Sequence, residues 1–129
     1  KNIQYIEDFR VTDEETMEII EMVLGKINKD LVQIFAKKGA KAVGICGKDG
    51  ETIKVEPKII ESADIGYFGS IKSINTDLIE DLISQDYIPI IASIGVSDDF
   101  TSYNLKADDV ACATAIALKA EKNTFPFTG

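Results

Sequence analysis

Between Ile88 and Leu118 an apolar run, PIIASIGV, crosses a polar loop, SDDFTSYN, and enters a second apolar run, ADDVACATAIALKA. The first run is short and rich in isoleucine, as a buried strand is, and it is expected to break at Gly95. The second has helical periodicity. A strand that feeds a helix through a polar loop commits the chain to an α/β layering, in which helices cover the faces of a sheet. In an open sheet of that kind, ligands sit beyond the carboxyl ends of the strands. The candidate site is therefore the junction where Asn104, Lys106, Asp108 and Asp109 crowd together.

The remaining segments fit the same layering. KNIQYIEDFRV reads as a strand or extended segment ending near Arg10. Thr12 and Glu15 have capping-box spacing, and Asp13, Glu14 and Glu15 suit the positive end of a helix dipole. Met17, Ile20, Val23 or Leu24, Ile27, Leu31 and Ile34 then recur in steps of three and four, so one apolar stripe runs to Lys37 and Lys38. Gly25 interrupts that stripe, which predicts either two helices or one bent helix; Gly39 suits the end. AKAVGIC, residues 40–46, reads as a strand and GKDG as a hairpin turn into an exposed edge segment that stops at Pro57. IGYFGSIKSI reads as a short strand after a loop, and TDLIEDLISQD as a helix capped by Asn75 or Thr76. The expected fold is a single α/β domain over residues 1–129, with a mostly parallel sheet and an accessory hairpin.

Composition removes several function classes. A formal charge of -8, from 14 basic and 22 acidic residues, argues against nucleic acid or an anionic membrane as partner. No apolar run reaches the roughly 18 residues a membrane span needs. With no histidine and two cysteines, a zinc site has too few ligands and a histidine-activated serine or cysteine nucleophile has no base. Cys46 and Cys112 lie in apolar runs and read as buried reduced thiols of a cytoplasmic protein, with a disulfide or a reactive thiol as the alternatives. No metal ligand set is expected.

Three side chains can do anion chemistry. Arg10, at a strand end just before a helix cap, can clamp a carboxylate with its planar fork; alternatively it is a surface arginine paired with Asp8 or Asp13. Asn104 offers both a donor and an acceptor. Asp108, four residues on, can align an ammonium group or simply cap a helix. Lys106 and Asp109 are expected to point away from whatever Asp108 faces, as solvent residues or an ion pair. GKDG lacks the full phosphate-loop pattern and the helix that follows one.

Taken in order, FRVTDEETMEIIEMV, INKDLVQIFAKKGAKAVGICGKDG, DYIPIIASIGV and YNLKADDVACATAIALKAEK resemble the acetylglutamate kinases of the amino-acid kinase family. The resemblance runs from about Asp8 to Lys122, and RVT at 10–12 and YNLKAD at 103–108 are its most specific pieces. It implies a three-layer α/β/α sandwich that phosphorylates the side-chain carboxylate of N-acetyl-L-glutamate with magnesium ATP, in arginine biosynthesis. It also implies that Arg10 and Asn104 bind the acceptor and that Asp108 holds catalytic lysines in place. Lys106 stands where the family motif N-x-N-A-D has its second asparagine, and around Gly25 the chain is about one residue shorter than the family pattern.

By the same resemblance, a glycine-rich segment with one catalytic lysine would precede Lys1. The nucleotide-binding half with a second lysine would follow Gly129. The chain is thus expected to be the central part of a longer kinase, its fold incomplete at both ends, inactive alone, without tightly bound ATP or Mg of its own, and part of a homodimer. A non-catalytic binding or regulatory module of the same fold is the competing expectation.

Overall fold

The computed structural model describes residues 4–6, 9–60 and 63–121. Two short strands, β1 (Gln4–Ile6) and β2 (Phe9–Val11), pair antiparallel, so the expected opening strand is a hairpin. Helix α1 follows as one continuous element, Glu14–Lys37. Gly25 does not divide it: Met17 before it and Asn28 after it are both buried, and the Asn28 amide donates to Ile90 O at 3.0 Å, which holds the helix on both sides of a glycine that costs roughly 1 kcal/mol. Its cap is Asp13, whose carboxylate accepts the Thr16 N–H at 2.7 Å. Thr12, expected in that role, is instead wholly buried in a strand contact. At the other end Gly39, with φ +85°, closes a Schellman motif: Gly39 N–H donates to Ala36 O and Ala40 N–H to Phe35 O, both at 3.0 Å.

Strand β3 (Ala42–Cys46) leads into a 3-10 turn at Asp49–Glu51 and then β4 (Ile53–Ile60). The GKDG segment is therefore not a hairpin. β3 and β4 belong to different sheets, and the turn steers the chain from one to the other. Asp49 accepts the Cys46 N–H at 2.9 Å, Gly47 N–H donates to Ile94 O at 2.7 Å, and Lys48 pairs with Glu21 at 2.9 Å. The hairpin lies one element later. β4 pairs antiparallel with β5 (Ala63–Ile74), a strand longer than its sequence pattern predicts. Nor is β4 an edge: β5 flanks it on one side and a later strand pairs at Lys54, and Ile53 and Val55 are fully buried.

Helix α2 (Asp77–Ser84) begins at Thr76, with Asn75 Oδ1 accepting the Asp77 N–H at 3.0 Å. The run after it splits at Ser93, not at Gly95, into β6 (Ile88–Ala92) and β7 (Ile94–Val96). Gly95 stays in β7 because the sheet is tight there; a Cβ would stand 2.4 Å from Val55 Cγ1. β8 (Ser102–Asn104) and α3 (Ala107–Glu121) complete the order.

The whole is an α/β sandwich with flanking helices. Strands distant in sequence pair in parallel: β3 with β6, β4 with β7, and β5 with β8. Sequence neighbours β7 and β8 form a further antiparallel hairpin. β4, β5, β8 and β7 close on themselves around Ile53, Val55 and Leu105, with Val110 of α3 sealing the end. The thiols differ from expectation. Cys46 is half-buried and Cys112 exposed, because α3 turns Cys112 away from the sheet; both are free. Burial pushes the Cys46 thiol above its ordinary value.

Candidate functional site: two motif strands on one bulged strand

The β4–β5 ladder runs from Ile53↔Ile74 to Pro57↔Gly69 with one register shift between Lys54 and Val55, and resumes at Ile59↔Asp64 after a second. Lys58 alone thus stands opposite Ile65, Gly66, Tyr67 and Phe68. A bulge leaves backbone donors and acceptors without ladder partners, and buried ones must be satisfied elsewhere. Here the partners come from the two candidate motifs. Thr12 N–H donates to Ile65 O at 3.0 Å, and Tyr67 N–H donates to Thr12 O at 2.7 Å. Asn104 pairs in parallel with Phe68. The RVT segment and the YNLKAD segment therefore attach to β5 two residues apart, about 7 Å of strand.

Gly66 makes that attachment possible. Its φ is +73°, and a Cβ would lie 2.1 Å from Thr12 O, so only glycine lets the β2 backbone approach. Thr12 is completely buried there. Arg10 stands two residues upstream on β2, its backbone paired with Tyr5; its side chain lies outside the described residues. Asn104 is half-buried at the end of β8, also paired with Ile94. Leu105 then anchors the turn, its N–H donating to Ser93 O at 3.0 Å. The Lys106 carbonyl accepts from Asp109 and Val110, which starts α3. Asp108 lies in the first turn of that helix, exposed, as are Lys106 and Asp109.

The loop at 97–101 is pinned from two sides. Asp98 bridges Lys54 at 3.4 Å and Lys72 at 3.1 Å, and Lys54 also meets Glu51 at 2.9 Å and lies 5.7 Å from the Phe100 ring centre. The hydrogen bond to Lys72, then that to Lys54, holds the Asp98 carboxyl below its ordinary value, and Glu51 first and Asp98 next hold Lys54 above its own. The Ser97 hydroxyl holds Asp99 low in the same way. Sequence reasoning marked this loop only as polar. Lys54 and Lys72 are strand residues far away in sequence, and no local signal ties them to Asp98.

A separate groove of about 800 Å³ runs between α1 and α3 over β6. Leu24, Ile27, Ile90, Val110 and Leu118 make it apolar, and neither Asn104 nor Asp108 lines it. Among the described residues no group of three carboxylate, thiol or imidazole side chains is placed to hold a metal ion, and no helix is long and apolar enough to cross a membrane.

The sequence pattern of the amino acid kinase family matches residues 2–125. The chain belongs to that family. It is 48% identical over 128 residues to the acetylglutamate kinase of Halothermothrix orenii, covering 97% of this chain and 44% of that protein. With the acetylglutamate kinase of Kosmotoga olearia it shares 52% identity over 115 residues, 88% of this chain and 40% of the other. A crystal structure of smu.665 from Streptococcus mutans superposes with a TM-score of 0.82 at 25% identity, over 92% of this chain and 48% of that one. The chain spans less than half the length of each of these proteins.

Proposed function

We propose that the protein containing this chain phosphorylates the side-chain carboxylate of N-acetyl-L-glutamate, as an acetylglutamate kinase of arginine biosynthesis in the cytoplasm, and that residues 1–129 carry the acceptor site. The observation that carries the reading is the common attachment of RVT and YNLKAD to Ile65–Phe68 of β5. Two motifs about ninety residues apart in sequence meet on one short stretch, as an acceptor held from two sides requires. The names of the similar proteins support the choice of acceptor.

The acceptor carboxylates are ionised near neutral pH, so no proton has to be removed before attack. What the site must supply is positive charge and alignment. In this reading Arg10 holds a carboxylate of the acceptor in two-pronged geometry, and Asn104 hydrogen-bonds the acceptor from β8. Asp108, exposed at the start of α3, orients lysine ammonium groups contributed by parts of the protein outside this chain. Lys106 replaces the family asparagine with a cation next to the same corner. Magnesium ATP, bound by the remainder of the protein, supplies the transferable phosphoryl group. The 129 residues alone are inactive in this reading, for lack of those lysines and of the nucleotide-binding part. A homodimer is proposed as well, because α1 turns Met22, Val23, Ile27 and Ile34 to solvent along one side.

The test is steady-state kinetics on the full-length protein, with acetylglutamate against glutamate and aspartate as acceptors. Acetylglutamate turnover, with Arg10→Ala lowering kcat/KM for acetylglutamate on the order of a hundredfold or more, is the expected result. An Arg10→Ala protein as active as the parent sinks the assignment.

A further inference from the structure

We infer that Tyr67 is a positioning residue for the acceptor site, holding the strand that carries Arg10 and the strand that carries Asn104 in fixed relation through a ring contact with Tyr103. This rests on the reading above and adds to it a residue outside both motifs.

Tyr67 touches both motif segments, one through its backbone and the other through its ring. Its backbone N–H donates to Thr12 O at 2.7 Å, shorter than the 3.0 Å bond from Thr12 N–H to Ile65 O. Its ring lies 5.8 Å, centre to centre, from the ring of Tyr103, tilted by 41°. Tyr103 directly precedes Asn104. That separation and tilt fall within the favoured range for aromatic pairs, where the contact adds to simple burial. Space for it is built in: a Cβ on Gly69 would come within 3.0 Å of Tyr103 Cβ, so a larger residue there would push Tyr103 off β5.

The direct backbone pairing at this corner is short. Among the described residues, β5 bridges the β2 segment at Thr12↔Gly66 and pairs with β8 at Phe68↔Asn104. Gly66, between them, has a backbone that resists bending less than any other residue. Bridges on either side of a glycine are a weak direct tie between the two strands, and the ring pair adds a second contact from β5 to β8 beside the closure through β7 and β4. If Arg10 and Asn104 must grip one small dicarboxylate, a shift of an ångström between their strands loosens the grip without touching the nucleotide.

The test uses the full-length protein and compares Tyr67→Leu, Tyr67→Phe, Tyr103→Leu and the Tyr67→Leu/Tyr103→Leu pair, with thermal unfolding run alongside. Tyr67→Leu is expected to raise KM for acetylglutamate about tenfold, while KM for ATP stays within about twofold. Tyr67→Phe, which keeps the ring, restores the parent value. Tyr103→Leu reproduces the effect from the other side, and the double variant is no worse than either single one, because one contact is being removed. Should Tyr67→Leu fail to fold, Tyr103→Leu and Tyr67→Phe decide. An unchanged acetylglutamate KM, or losses for both substrates that merely follow the folded fraction, overturns this inference and leaves the kinase reading standing. Absence of acetylglutamate turnover in the unmutated protein overturns both.

Discussion

Asp98 shows how single residues divide between motif and support. It lies in no recognised motif, yet it links β4 and β5 to the loop that delivers Asn104, through Lys54 and Lys72. The Asp98 carboxyl is held below 3.8, so its contribution is complete above that value and is lost as pH falls through the lower folded-state value. Lys54 is held above 10.5, so its contribution is complete below that value and is lost as pH rises through the raised one. The clasp is therefore intact across the neutral range. Being exposed, it is weak and sensitive to salt. Asp98→Asn is expected to speed amide exchange at Thr101 about two- to fivefold at pH 7 in low salt. High salt should bring the parent protein toward the variant. Exchange rates that match at low salt would show that the loop is held by its own turn alone.

Elements record where local pattern decides and where it does not. Helix α1 was legible from the apolar steps between Met17 and Ile34 and from Gly39, since a helix is written in contacts three and four residues apart. Its cap was misplaced by one residue, because Thr12 has the right chemistry but is claimed by Gly66, fifty-four positions on. Asp13→Ala is accordingly expected to cost about 1 kcal/mol in denaturant unfolding, the usual loss for an N-cap whose carboxylate accepts a backbone N–H. Thr12→Ser should not mimic it, since the N-cap is Asp13. The GKDG turn shows the opposite failure. Asp49 and Gly50 have hairpin chemistry, and the chain does turn there. Whether the flanking strands then pair depends on β5 and β6, and nothing in four residues reports that. The candidate site follows suit: the places of Asn104 at a strand end, Asp108 at a helix start and Arg10 on a strand were readable because those elements are local. Gly66 and Tyr67 were not, because a bulge exists only relative to the partner strand.

At the scale of the molecule the apolar groove raises the question of what covers it. Five consecutive residues line it, Pro89 to Ala92 of β6 and Ser93 just after. Successive strand residues face opposite ways, so a groove that meets all of them approaches the strand along its edge. Among the described residues β6 pairs only with β3, so a strand edge is open. On the α3 side the wall is small, Ala107, Ala111 and Ala115, and the Thr114 hydroxyl there is buried with no hydrogen-bond partner. An open edge beside apolar helix faces is a liability unless something is laid against it. The chain covers 44% of its Halothermothrix relative, so most of such a protein lies outside the part described. The expected outcome is that the full-length protein closes the groove. In a Cys112→Ser background, Ala115→Cys should react with a maleimide at least about tenfold more slowly in the full-length protein than in the 129-residue chain, while Met22→Cys on the outer side of α1 reacts at a rate set by protein concentration if that side is the dimer contact. Equal rates at Ala115 would mean that the groove stays open in the whole protein, and an apolar ligand would then be the better account of it.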